Sequence, residues 1–170
     1  LQVVEHKNAD AILETDLIAP AEFDALALEA KTKNLPLEEL ILANGKMTED
    51  DFRRVKAYLL GIPFVNLRRE KIERATLALI PEPIARKHNI VAFRKNTSGL
   101  EVAMLDITDL GAIDFIKRKT GLRIMPCLTS NESIKSALLQ YQKSLKADFG
   151  ELIQTESANI KNLAFDIQKA

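Results

Sequence analysis

The chain is short of most residues that announce chemistry. It has a single cysteine, Cys127, two histidines, no tryptophan and six glycines in 170 residues. One cysteine excludes an intramolecular disulfide framework. His6 and His88 stand far apart, and neither shares transition-metal spacing with the other or with Cys127. No stretch approaches the roughly 18 consecutive apolar residues of a membrane-spanning helix. Leu1 is followed by Glu5 and Lys7 rather than by a signal-peptide pattern, so a cytoplasmic chain is expected. The start without an initiator methionine is expected for a piece of a longer protein or a trimmed chain.

Charge of one sign is also missing, because 24 Lys and Arg balance 24 Asp and Glu. That balance argues against nucleic acid as the main partner, as does the lack of aromatic residues interleaved with the basic ones. None of the six glycines stands in a phosphate-loop pattern, where a Gly-rich turn ends in Gly-Lys-Ser or Gly-Lys-Thr. Gly45-Lys46-Met47-Thr48 has the Gly-Lys pair without the preceding glycine or strand, and reads as a helix stop followed by a cap.

What is present is enough to fold. An apolar fraction of 46% allows a hydrophobic core and 28% charged residues keep it soluble, which excludes global disorder and fits one or two modest domains. The neutral total hides a division. Residues 1–60 carry 7 basic and 12 acidic side chains, residues 61–125 carry 12 and 7, and the remainder carries 5 and 5. An acidic front and a basic middle can attract each other, face a partner or pair locally.

Residues 1–60 read as a helical subdomain. Pro20 fits a first helical turn, with Phe23, Leu26, Ala27 and Ala30 on one face. Pro36 opens a second short helix ending near Asn44-Gly45, and Thr48 caps a third, with Phe52, Val55 and Leu59 at helical spacing before Gly61 and Pro63. A shift of 29 residues lays Ile12-Leu13 on Ile41-Leu42, Ile18 on Met47, Phe23 on Phe52 and Leu26 on Val55, as a weak internal duplication requires.

After Gly61 the pattern alternates. Pro63–Leu67 is a strand candidate, followed by a helical run through Ile72, Leu77 and Leu79 that Pro81 and Pro83 interrupt before another short helix around Ile84–His88. Ile90–Phe93 and Leu100–Met104 are strands joined by the hairpin-like turn Asn96-Thr97-Ser98-Gly99. Asp109 starts a helix that Thr120-Gly121 stops, Leu122–Leu128 is a last strand, and Ser130 or Asn131 caps a helix bearing Ile134, Leu138 and Tyr141. The expected class is α/β in the α+β sense: the helical subdomain of residues 1–60, then a compact β-α-β-β-α-β-α layer domain over 61–141 with a mixed sheet. Residues 142–170 carry a weak stripe of Leu145, Phe149, Leu152 and Ile153, and read as a linker or a docking helix.

Candidate chemistry is sparse. Asp106, Asp109 and Asp114 are the densest carboxylates beside a strand end; hard-cation binding is one reading, and turn formation by Asp106 with capping by Asp109 is the stronger one. Cys127 lacks an activating neighbour and reads as a buried residue, and His88 as part of a solvated helix end. Basic residues cluster at Arg68-Arg69, Lys71, Arg74, Arg86-Lys87, Arg94-Lys95 and Lys117-Arg118-Lys119, a pattern suited to phosphate, lipid headgroups or an acidic protein surface. No catalytic, cofactor-binding or metal residue is assigned.

The ordered stretches Leu60-Gly61-Ile62-Pro63-Phe64-Val65-Asn66-Leu67, Leu79-Ile80-Pro81-Glu82 with Ala85-Arg86, Val102-Ala103-Met104, Asp106, Thr108-Asp109, Ile113-Asp114 and Thr120-Gly121 carry a resemblance. Over residues 17–141 the chain resembles the N-terminal domain of the type II secretion and type IV pilus assembly ATPase family, general secretory pathway protein E-like. The resemblance implies a non-catalytic docking and regulatory module that precedes an ATPase domain, with ATP and Mg²⁺ expected for the full-length protein and no cofactor in this fragment. It implies as partners that ATPase domain and the cytoplasmic domain of an inner-membrane platform protein, and hence a cytoplasmic location peripheral to the inner membrane. Some relatives bind cyclic diguanylate through a duplicated motif that begins Arg-Leu-Gly and ends in Gln. Here Pro36, Glu38 and Leu59 depart from that motif in the second copy while Gly45 keeps a glycine. In the first copy Lys7 is basic but Asn8, Ala9 and Asp16 depart. Proline offers no guanidinium and a carboxylate repels a phosphodiester, so cyclic diguanylate is not expected as a ligand, and a cyclic diguanylate-binding sensory domain of the same kind of ATPase is the alternative reading.

Overall fold

The structure, a computed structural model, describes residues 2–143, 150 and 153–154, with side chains from residue 8 onward. Local chemistry sets most helix boundaries. Helices α1 (Gln2–Leu13), α2 (Pro20–Lys33), α3 (Leu37–Asn44) and α4 (Glu49–Leu60) form the front. Pro20 stands at the start of α2, where a missing N–H costs nothing. Thr48 closes a capping box on α4: its hydroxyl accepts from Asp51 N at 3.2 Å and the Asp51 carboxylate accepts from Thr48 N at 3.1 Å, satisfying two otherwise unpaired donors.

A helical register of 29 residues runs through these elements. α2 and α4 begin 29 residues apart, at Pro20 and Glu49. Asp16 and Gly45, separated by the same interval, both adopt left-handed backbone, with φ of 55° and 81°; aspartate and glycine are among the residues that tolerate it. Ile12 and Ile41, Ile18 and Met47, Phe23 and Phe52, and Leu26 and Val55 all enter one apolar cluster. α1 packs on α4 and α2 on α3.

The remaining elements are α5 (Arg74–Leu77), α6 (Glu82–His88), β1 (Ile90–Asn96), β2 (Gly99–Met104), α7 (Leu110–Thr120), β3 (Ile124–Leu128) and α8 (131–143). Among the described residues the sheet has three strands in the order β1-β2-β3, with β1 antiparallel and β3 parallel to β2. Ile90 faces Met104 across the hairpin and Leu100 lies beside Ile124. Asn96 Oδ1 accepts from the N–H groups of Ser98 and Gly99 and so builds the turn. A second cluster fills this part, including Leu67, Ile80, Ile90, Val102, Met104, Ile116, Ile134 and Tyr141. The α+β class with a mixed sheet is as expected.

Three details differ from the sequence reading. Residues 63–67 make no full strand. Phe64 forms one isolated parallel bridge to Leu128, with Val65 N donating to Leu128 O at 2.9 Å and Leu128 N to Pro63 O at 2.8 Å. The ladder stops because side chains capture the next backbone groups: Thr129 Oγ1 donates to Val65 O, and Leu67 N donates to Ser133 Oγ. The helical run expected through Ile72–Leu79 shrinks to the single turn of α5, since Ile72 N donates to Gln140 Oε1 instead of starting a helix. The last strand begins at Ile124 rather than Leu122, because the left-handed Gly121 ends α7 and Leu122 N turns back to Thr120 Oγ1. Of the stripe expected beyond residue 142, Leu145, Phe149 and Leu152 lie outside the described residues, and Ile153 is exposed.

One glycine is fixed by close approach. Gly99 opens β2 with φ +145°, and a Cβ placed there would lie 2.3 Å from Arg123 O, the carbonyl that accepts from Leu100 N at 2.8 Å. Gly99→Ala is expected to cost about 2–3 kcal/mol in urea unfolding, through a backbone clash that no rotamer relieves. Gly111→Ala is the control: the nearest atom is Asp109 Oδ1 at 3.8 Å, and a helical alanine there should be neutral or slightly stabilising.

Candidate functional site

A cleft of about 440 Å³ opens in the front helices, lined by Asn8, Ile12, Glu38, Phe52, Val55, Lys56, Leu59 and Leu60. Its walls are mostly apolar because the helical stripe of α4 that reaches the front cluster continues to Leu59 and Leu60, which are left exposed. Three of the positions singled out from the dinucleotide-binding motif, Asn8, Glu38 and Leu59, line it. Pro36 sits at the N-cap of α3 with φ −60°, so this helix start lacks one N–H that an anion could use. Glu38 and Glu39 occupy the first turn of α3. Lys56 supplies one cation to the cleft and Glu38 one carboxylate. Gly45 and Asp16 serve as the paired left-handed turns. The side chains of His6 and Lys7 lie outside the described ones.

The carboxylates read from sequence do separate work. Asp106 Oδ1 accepts from both the hydroxyl and the N–H of Thr108, at 2.6 and 2.9 Å; these bonds hold its carboxyl below the ordinary value. Asp109 caps α7, with Oδ1 accepting from Ala112 N at 3.1 Å. Its Oδ2 lies 2.7 Å from His88 Nδ1, and the hydrogen bond from His88, followed by that from Ala112, lowers its pKa. His88 is therefore a half-buried partner of Asp109 that ties the end of α6 to the start of α7. Among the described residues no hydroxyl or thiol is hydrogen-bonded to either side chain, and no group of three or more His, Cys, Asp or Glu is placed to hold a metal ion. Asp114 stays in α7, apart from these contacts.

Cys127 is buried in β3 and its thiol is pushed up to about 11, chiefly by burial, so it stays protonated and poorly nucleophilic. The basic clusters divide. Arg86 pairs with Glu82 at 2.7 Å, and Arg94 pairs with Glu101 at 3.3 Å while lying over the Phe93 ring. Lys117, Arg118 and Lys119 sit exposed in the last turn of α7, where cations complement the helix dipole. Arg68, Arg69, Lys71 and Arg74 gather beside α8 along a groove.

Three features carried no sequence signal strong enough to find them. The His88–Asp109 pair joins two helix ends 21 residues apart. Arg53 crosses from α4 to donate to Leu105 O at 3.1 Å, and Glu49 on the same helix accepts from the N–H and Nδ2 of Asn131. The polar residues Ser133, Ser136 and Gln140 of α8 hold the 67–72 backbone; their spacing alongside Ile134, Leu138 and Tyr141 is the one sign that a second face of that helix was occupied.

These features define an α+β domain whose polar clusters hold its own helices and turns, with two open recesses. Residues 60–148, just over half of the chain, match the MshEN domain, and the chain belongs to that family. The resemblance to the N-terminal domain of secretion and pilus assembly ATPases holds. In an alignment of 165 positions that covers 91% of this chain, it is 24% identical to the type IV pilus assembly ATPase PilB of Myxococcus xanthus (strain DK1622). It spans 29% of that relative. A solved structure of MshE with cdg superposes with a TM-score of 0.61 at 18% identity, covering 79% of this chain and 97% of that one, which shows a shared fold. The N-terminal domain of XpsE covers 79% of this chain and 93% of its own at 20% identity, but with a TM-score of 0.44 it is too loose a match to argue from.

The His88–Asp109 pair sets a pH dependence. A carboxyl lowered in the folded state contributes stability that is fully present above its unfolded value, about 3.9, and is lost as pH falls through the folded one. Asp109→Asn, which keeps an oxygen for the Ala112 cap, should flatten the stability slope measured by urea unfolding as pH falls below about 4. An unchanged slope would show that the pair adds nothing to acid sensitivity.

Proposed function

We propose that this domain is the non-catalytic docking and regulatory N-terminal module of a secretion or type IV pilus assembly ATPase, coupling the motor to its inner-membrane platform. The observation that carries the reading is the alignment of nearly the whole chain with under a third of a pilus assembly ATPase, on a fold of the MshEN family. On this reading ATP and Mg²⁺ belong to an ATPase domain elsewhere in the full-length protein. The present domain contributes contact and control. Its partner is the cytoplasmic domain of a platform protein, which would hold it at the cytoplasmic face of the inner membrane. Pull-down with that domain is expected to retain the chain; failure with every cognate platform component would overturn the reading.

A second reading, cyclic diguanylate sensing in the front cleft, is favoured by the fold shared with MshE, which was solved with cdg. That likeness weakens the expectation that cyclic diguanylate is not a ligand. Asn8 and Lys56 offer the cleft a polar group and a cation, whereas Glu38 repels phosphate and Pro36 withholds a donor. Calorimetry with cyclic diguanylate separates the two. The docking reading expects no heat from the folded chain at about 100 μM ligand, while a Kd of a few micromolar, about −7 to −8 kcal/mol, would make this a second-messenger sensor.

A further inference from the structure

We propose that the groove between residues 68–74 and α8 is the docking surface for an acidic, leucine-bearing peptide segment of a partner protein. The proposal deepens the docking reading and rests on it. The groove encloses about 780 Å³. One wall is the face of α8 that carries Ser136, Leu139, Gln140 and Lys143. Positions three, four and seven apart lie on one side of a helix, so this wall is about 10 Å long, enough for about two helical turns or three extended residues of a ligand.

Charge chooses the ligand. The lining holds five cationic side chains against two carboxylates, Glu70 and Glu73. Arg68 is partly spent on Asp50, at 2.5 Å. Arg69 and Lys71 are exposed, and among the described residues neither makes an ion pair or hydrogen bond. The accessible apolar part is a single side chain. Ile72 and Leu77 are buried at the base of the groove, and Leu139, 57% exposed, stands beside them on α8 without apolar cover. An acidic segment carrying a leucine would meet both features at once.

The two sides of the recess are tied to each other, which fixes its shape. Ser136 Oγ donates to Arg68 O at 3.2 Å, Gln140 Nε2 donates to Glu70 O at 2.8 Å, and Gln140 Oε1 accepts from Ile72 N at 2.9 Å. Backbone fixed before binding lowers the ordering cost of association. A concave recess suits a segment better than a flat anionic bilayer. The two carboxylates and the absence of an aromatic side chain in the lining disfavour nucleic acid.

The test is fluorescence anisotropy of a labelled peptide built from glutamate and leucine, titrated with the full chain. Binding is expected at about 50 mM salt and should weaken at about 300 mM. Arg69→Glu with Lys71→Glu should weaken it at least about 10-fold, Leu139→Ser about 5-fold, and Lys117→Glu with Lys119→Glu on α7 less than about 2-fold. All five positions are exposed, and circular dichroism checks that each variant folds. Equal losses from the two charge-reversed pairs would reduce the effect to diffuse charge and overturn the groove. No effect of Leu139→Ser would overturn its apolar contact. Binding to phosphatidylglycerol vesicles with no binding of the peptide would reassign the surface to lipid. If the platform domain is still pulled down by the Arg69→Glu, Lys71→Glu variant, the groove falls while docking stands. If the peptide binds as expected but no platform domain is retained by the wild-type chain, the docking reading falls instead.

Discussion

Ten residues of backbone between Pro63 and Ile72 have neither a helix nor a full strand to satisfy them, and the rest of the layer is arranged around that need. Where this backbone is buried, as at Leu67, an N–H or C=O without a partner costs as much as a lost hydrogen bond. β3 supplies the first partners through the Phe64–Leu128 bridge, and α8 supplies the rest through Ser133, Ser136 and Gln140. The same helix sends Tyr141 into the core cluster, where its hydroxyl donates to the Ile80 carbonyl at 2.7 Å with the Leu77 carbonyl 3.1 Å away. α8 therefore closes the apolar cluster with one face and holds irregular backbone with the other. The basic groove exists because that backbone is kept at the surface in a fixed shape.

The polar residues that looked chemical are mostly spent in the same way. Asp106 and Asp109 are occupied by the start of α7, and burial leaves the Cys127 thiol protonated. What remains open is surface: an apolar cleft in front and a cationic groove behind, on a chain whose total charge is zero. Local excess of one sign can steer and orient a partner even when the total charge cancels.

Much of this was legible from local grammar. Capping by Thr48 and Asp109, helix stops at Gly45, Gly61 and Gly121, and the hairpin at Asn96–Gly99 all depend on residues within a few positions of one another. The 63–67 segment has the composition of a strand in Pro63-Phe64-Val65, while the hydroxyls that terminate its ladder, on Thr129 and Ser133, come from more than 60 residues away. α5 falls short of its expected run in the same way, since the group that diverts Ile72 is Gln140. In the candidate site, Glu38 and Pro36 were recognisable from a motif. Lys56 and the apolar wall of α4 required the fold to bring them beside α3.

The position of α4 bears on how the chain can be divided. Composition changes at Gly61, and the two apolar clusters fall on either side of it. The polar contacts do not respect that line: Glu49 holds Asn131, Asp50 holds Arg68 and Asn66, and Arg53 reaches Leu105 O. A cut at residue 60 would separate each of these pairs and leave a largely buried guanidinium without its carbonyl. Anyone exchanging front halves between relatives would have to match both sets of partners, because α4 also carries Phe52 and Val55 into the front cluster.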